Sequence, residues 1–249
     1  MTRIVSRFSC GAASAVATKL TIAKYGLDRV EISYSDPGSE HPDNQRFLAD
    51  CERWFGKAVV VHKSEKYENT WAVWQGERFI KSAQGAPCTG ILKREPKYAW
   101  DRPDDVLVFG YTVEEKDRAD RLREQNFERI IETPLIDAGL TKADCLGMLE
   151  RAGIALPAMY LLGFQNNNCI GCPKGGMGYW NMIRKHFPEA FAKMAALQRE
   201  LGPGSYLWQE EDGSRLSLDD LSPTRGDQFT EPNIECSIMC HIAEQEMAE

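Results

Sequence analysis

The sequence predicts an α/β fold: a doubly wound, mostly parallel sheet followed by a helical, cysteine-bearing C-terminal extension. Short apolar runs alternate with stretches of helical periodicity as far as Pro134. A run of small residues joins the first apolar run to the first helical stretch, where such folds cradle anions. Beyond Pro134 the alternation stops, and helical patterns surround a Cys-x-x-Cys. The 249 residues, 43% of them apolar, suffice for one large domain with a smaller appendage. Boundaries fall at 1–140 for the alternating part, 141–204 for the helical part and 205–249 for a polar arm with a cysteine-containing tail.

Residues 3–8 read as a short buried strand and 9–13 as the loop after it. From Ser14 the pattern is helical, with Val16, Leu20, Ala23 and Leu27 on one face and Gly26 as the stop. Val30, Ile32 and Tyr34 alternate as a second strand, and Phe47, Cys51, Trp54 and Phe55 give the next helix its apolar stripe. Residues 58–61 and 106–109 are the third and fourth strands, 114–126 a charged helix and 129–132 a fifth strand. In the second part, Thr141-Lys142-Ala143-Asp144 is a helix N-terminal box. Pro188 opens a helix carrying Phe191, Met194, Ala195 and Gln198, which ends at Gly202. Residues 205–232 are polar and turn-rich and read as a flexible arm or lid.

In such sheets ligands sit beyond the carboxyl ends of the strands, which singles out the loops 9–14, 35–44 and 110–116. The first is Ser9-Cys10-Gly11-Ala12-Ala13-Ser14. Its small residues let backbone N–H groups approach an anion, and both serines can donate to its oxygens. It is neither a Walker loop nor a G-x-G-x-x-G fingerprint, and the plain alternative is a tight strand–helix turn. Asp36, Glu40 and His41 fall on the second loop, where a solvated turn is the competing reading for Glu40.

Eight cysteines with a Cys-x-x-Cys in a chain of this length favour metal or redox chemistry over a disulfide frame. Cys169 and Cys172 have the spacing to meet one metal. Two ligand sets stay open: Cys169, Cys172, Cys236 and Cys240, or Cys88, Cys169 and Cys172 with one tail cysteine. Tetrahedral sulfur suits zinc or a four-iron cluster. Cys51 and Cys145 read as core, and Cys10 as packing or a substrate contact. The net charge of −7 argues against coating nucleic acid by bulk charge, although Arg118, Arg121, Arg123, Arg184 and Lys185 could line a local basic groove. No apolar run is long enough to span a membrane and the N-terminus lacks a signal-peptide layout, so a cytoplasmic location is expected.

The first loop resembles the pyrophosphate loop of the adenine-nucleotide α-hydrolase (PP-loop) superfamily, usually S-G-G-x-D-S. Ser9, Gly11 and Ser14 match, Cys10 stands for a glycine and Ala13 for the aspartate. The small-residue run also resembles the loop of the phosphoadenylyl-sulfate (PAPS) reductase family, which lacks that aspartate. Residues 35–43 are similar to the family's second-strand loop. Pro87-Cys88-Thr89 with Lys93 and Pro96 is similar to its C-x-x-x-x-K-x-x-P stretch. Residues 110–121 are similar to its G-x-R-x-x-E-(x)-R segment, with Thr112 in place of the first arginine, and 134–172 to the run ending in C-x-x-C. Glu235-Cys236 and a displaced His241 resemble the catalytic E-C-G-L-H tail.

The resemblance implies an adenine nucleotide (APS, PAPS or ATP) on Ser9, Cys10, Gly11, Ala12, Ala13, Ser14, Asp36, Gly38, Lys93, Gly110, Glu115 and Arg118. It favours a four-iron four-sulfur cluster over zinc at the cysteines. It implies Cys236 as nucleophile with Glu235 and His241, reduction of the sulfonucleotide to sulfite, and a thioredoxin-like reductant. A homo-oligomer or complex subunit is expected. Two alternatives stand beside this: an ATP-dependent PP-loop transferase that modifies a nucleic-acid base, and a non-catalytic nucleotide or redox sensor.

Overall fold

Five short runs of branched and aromatic residues line up as one parallel sheet in a computed structural model that describes residues 2–82, 85–231 and 234. In chain order the elements are β1 (Ile4–Arg7), α1 (Ala12–Tyr25), β2 (Val30–Ser35), α2 (Asn44–Phe55), β3 (Val60–His62), α3 (Thr70–Glu77), α4 (Glu95–Tyr98) and β4 (Val106–Phe109). There follow α5 (Lys116–Gln125), β5 (Ile130–Glu132), α6 (Pro134–Asp137), α7 (Lys142–Arg151), α8 (Ala158–Leu161), α9 (Met177–His186), α10 (Pro188–Leu201), β6 (Trp208–Gln209) and β7 (Arg215–Leu216). The sheet order is β3-β2-β1-β4-β5, with β1 paired in parallel to both β2 and β4. The chain winds one way from β1 to β3 and then crosses back to β4, which makes the β1–β4 boundary the switch point.

A parallel sheet covered on both faces needs strands apolar on both sides, and every residue of β1 and β4 is buried. One face sends Ile4, Phe8, Ile32, Tyr34, Val106 and Val108 into a core shared with α1, α2 and α7. The other sends Val5, Leu107 and Phe109 against Ala119 and Leu122 of α5. A further core lies in the extension, around Trp74, Leu92, Met159, Trp180 and Met194. It joins α3 and the β3–β4 crossover to α9 and α10, so the extension is packed onto the sheet domain's own crossover.

The expected α/β class and strand succession are borne out, with shifted edges. The third strand is Val60–His62, not 58–61, and the first helix begins at Ala12 because Gly11 already holds the extended N-cap conformation. The stripe expected on that helix is also corrected: Ala23 and Leu27 are exposed. Its buried positions are mainly small ones, Ala12, Ser14, Ala15, Val16, Ala17, Thr18 and Thr21, because α1 lies closely between the sheet, α2 and α7. The crossover before β4 contains α3, a π-helical segment Thr89–Arg94 and α4, none of which has a clear periodic signature. The arm expected to be flexible is packed: Leu207, Leu218 and Leu221 are buried. Asn181 of α9 donates to the carbonyls of Ser222 and Arg225 at 2.9 and 2.7 Å.

The switch point depends on backbone contact. A Cβ on Gly110, just past β4, would lie 2.7 Å from Ser14 Cα and 2.8 Å from Ser14 N. Gly110→Ala is expected to destabilise the protein by about 1–3 kcal/mol through overpacking. Gly204→Ala, where a Cβ meets nothing within 4 Å, should stay within about 0.5 kcal/mol of the parent. Urea denaturation of both variants checks this.

Candidate nucleotide and cysteine site

The loop between β1 and α1 turns sharply because Cys10 adopts φ 55°, the left-handed region that β-carbon-bearing residues avoid. Asn167 holds it there: its Nδ2 donates to Cys10 O at 2.6 Å and to Asn44 Oδ1 at 2.7 Å. Gly11 then caps α1 without any side-chain bond, and the first turn contains no acidic residue. The leading N–H groups of α1 therefore face the carboxyl edge of the sheet with the positive end of the helix behind them. Ala13, at the position of the superfamily's aspartate, is half-buried within this first turn. The two loop serines bind each other. Ser14 Oγ accepts from Ser9 N and Ser9 Oγ, both at 3.0 Å, and donates to Gly11 O at 2.9 Å. Gly110 packs beneath them.

The second loop is tied down rather than solvated. Asp36 Oδ1 accepts from Gly38 N at 2.8 Å, and Asp36 pairs with Lys63 at 3.1 Å. The solvated-turn reading of Glu40 is overturned: its side chain is 6% exposed and accepts from Tyr34 Oη at 2.6 Å and Asn44 Nδ2 at 2.7 Å. Burial pushes the Glu40 carboxyl up, against the pull of Lys93 at 3.6 Å. Lys93 comes from the π-helical segment, and its carbonyl accepts from Ser35 Oγ at 3.1 Å. Across the switch point, Thr112 and Glu115 form a capping box, and Glu115 also pairs with Arg118 at 2.7 Å. The two cations expected on phosphate, Lys93 and Arg118, thus each face a carboxylate.

Cys169 and Cys172 are both buried, on a turn that Gly171 closes with φ 77°. Tyr179 of α9 fastens it: its hydroxyl donates to Cys169 O at 2.7 Å and accepts from Cys172 N at 3.0 Å. Ile170 N donates to Ser39 O at 2.9 Å, which places the cysteine turn directly against the second loop. Cys88 packs at the rim of the same apolar cluster. Among the described residues no three His, Cys, Asp or Glu side chains are gathered closely enough to hold a metal ion. The described donors fit a thiolate centre in part, supplying one buried two-cysteine turn with a third cysteine in its cluster. Glu235, Cys236, Cys240 and His241 lie outside the described residues. Ile234 is described, and it lines a cavity of ≈ 20 Å³ together with Asn168, Tyr179 and Glu231.

Sequence reasoning missed three residues around the β1–α1 loop: Asn167, Tyr160 and Lys142. The Asn166-Asn167-Asn168 run was the signal available for the first, since buried amides imply a network. Tyr160 Oη lies 3.4 Å from Ala12 N and accepts from it. Lys142 Nζ stands 5.8 Å from the Tyr160 ring and donates to Gln165 O and, at 2.6 Å, to Asn166 Oδ1. Its place in a helix-capping sequence concealed it.

Cys10, Cys51 and Cys145 are buried free thiols, and burial raises all three, Cys145 to about 12. A thiol so shifted holds almost no thiolate near neutrality. Iodoacetamide should leave these three unmodified in the native protein at mildly alkaline pH and alkylate them in guanidinium, as read by peptide mass mapping. Modification of native Cys10 would contradict its assignment to packing.

Compared with known proteins, the chain matches no family model. It is 26% identical over 206 residues to an uncharacterized protein of Methanocaldococcus jannaschii, an alignment covering 79% of this chain and 42% of that protein. The chain thus spans about two fifths of the length of this curated relative. Its structure is similar to that of PAPS reductase from Candida auris in a phosphate complex, with a TM-score of 0.51 and 12% identity over 68% of this chain and 82% of that one. Among the described residues no helix is long and apolar enough to cross a membrane. The chain has the α/β fold of PAPS reductase.

Proposed function

We propose that this protein is an adenine-nucleotide enzyme of sulfur chemistry that reduces adenylyl sulfate or PAPS to sulfite with a cysteine thiolate. One observation carries the reading. The uncapped, acid-free N-terminus of α1 at the switch point shares its sheet edge with a buried Cys-x-x-Cys turn bonded to the neighbouring loop. The first offers N–H donors to a phosphate or sulfate. The second brings sulfur ligands to the same edge. The likeness to PAPS reductase supports the nucleotide, and Ala13 in place of an acid suits a ligand cleaved without magnesium at that position.

In this reading Ser9, Cys10, Gly11, Ala12, Ala13, Ser14 and Gly110 form the phosphate end of the site. Asp36, Gly38 and Lys93 border it on the second loop, and Glu115 with Arg118 across the switch point. Cys236 is the nucleophile. Its thiolate attacks the sulfate sulfur, the S–O bond to the nucleotide phosphate breaks, and the adenosine phosphate leaves. The enzyme then carries S-sulfocysteine. A thioredoxin-like dithiol attacks the Cys236 sulfur, releases sulfite, and ends as the oxidised disulfide, having supplied both electrons. Glu235 and His241 would handle protons in this step. Cys88, Cys169 and Cys172, with Cys240 as the fourth thiolate, would hold a four-iron cluster or zinc. Such a centre would tie the cysteine turn to the tail.

Purified without oxygen, the protein is expected to contain iron and acid-labile sulfide that Cys169→Ala loses. It should bind adenosine 5′-phosphosulfate or PAPS and release sulfite with a dithiol. Cys236→Ser should abolish sulfite release and retain nucleotide binding. Failure to bind either sulfonucleotide would overturn the reading; stoichiometric zinc with full turnover would overturn only the cluster.

A further inference from the structure

We propose that Lys142, at the start of α7, supplies the countercharge for a phosphate or sulfate group seated on the N-terminus of α1, so that the C-terminal extension completes the anion site. The inference rests on the loop being a nucleotide site, and it identifies a cation that the PP-loop resemblance does not assign.

Charge balance leads to it. Three other cations around these loops already face carboxylates: Lys93 faces Glu40, Arg118 faces Glu115 and Lys63 faces Asp36. Lys142 forms no ion pair among the described residues. Its ammonium is partly buried and donates only to neutral oxygens, Gln165 O and Asn166 Oδ1. Burying a cation without a counter-ion is costly, and an arriving anion removes that cost. Desolvation lowers the Lys142 pKa, while Glu115 and Glu114 act from a distance to raise it.

Geometry puts this charge at the loop. Asn166, which holds the ammonium, precedes Asn167, whose amide bonds to Cys10 O. The ammonium stands over Tyr160, whose hydroxyl is the group that Ala12 N meets, by a long contact of 3.4 Å. An oxyanion is a stronger acceptor than this phenol and would displace it from Ala12 N. A second group at the loop also awaits a ligand. Asn167 is 7% exposed, and its Oδ1 has no hydrogen-bond partner, although its Nδ2 has two. A ligand hydroxyl or amine beside the loop would satisfy it. The lysine is also well founded: α7 packs on α1, and Thr141 and Asp144 close a capping box around the residue that begins it.

Calorimetric titration of the full chain with adenosine 5′-phosphosulfate and with adenosine tests this. A charge-assisted hydrogen bond corresponds to about 10- to 100-fold in affinity. Lys142→Met is expected to weaken adenosine 5′-phosphosulfate by that factor, leave adenosine unchanged and flatten the salt dependence. Lys142→Arg should restore most of the affinity. Equal weakening of both ligands would mean a structural role and overturn the proposal, as would undiminished binding of adenosine 5′-phosphosulfate by Lys142→Met. Wild-type protein that binds adenosine 5′-phosphosulfate no better than adenosine would overturn the nucleotide reading itself, and this proposal with it.

Discussion

One side-chain amide joins the three parts of this molecule. Asn167, in the extension, holds the carbonyl of Cys10 on the β1–α1 loop and the side chain of Asn44 at the start of α2. The left-handed conformation at Cys10 costs about 1–2 kcal/mol. It persists because these bonds and the burial of the thiol over-determine it. Without that turn α1 would not leave β1 at the angle that aims its N–H groups along the sheet edge. Without Asn167 the cysteine turn, two residues further on, would lose its nearest tie to the loop.

The same economy of contacts explains why the neighbouring charges are spent. The crossover before β4 is clamped to the sheet by buried ion pairs, Arg3 with Asp105 at 2.6 Å and Arg7 with Asp101 at 2.5 Å. Removing one partner of such a pair leaves a buried charge and typically costs about 3–5 kcal/mol. Lys97, wholly buried beside them, has its amine held well below the usual lysine range by desolvation, with Arg7 and Lys93 adding to the effect. On the extension, Lys142 bonds to Asn166 and lies near the Tyr160 ring.

The extension positions the cysteines by the same logic. The first turn of α9 serves two neighbours at once. Its backbone donates to Glu231, with Gly178 N at 2.7 Å and Tyr179 N at 3.4 Å, while the Tyr179 hydroxyl grips the Cys169–Cys172 turn. The arm and the cysteine turn are thereby held in a fixed relation by one short stretch of helix. Ile234 packs against the same apolar cluster that buries Cys169 and Cys172.

The sequence by itself determined the α/β class, the strand succession and the loop at Ser9–Cys10–Gly11, because strand and helix periodicities and small-residue turns are local properties of a chain. It also marked Cys51 and Cys145 as core from their place on apolar faces. Local pattern misled where burial comes from contact on several sides, as on α1, whose small residues are covered while Ala23 and Leu27 stay in solvent. It was silent on the π-helical segment, which has no strong periodic signature. Tertiary structure alone decided which charges are neutralised and which is not. Lys93, Arg118 and Lys142 look alike in sequence. They differ because Glu40 reaches Lys93 across folded loops and Glu115 pairs with Arg118 three residues on, whereas Lys142 forms no ion pair among the described residues. Countercharge is a through-space property, and only the folded chain assigns it.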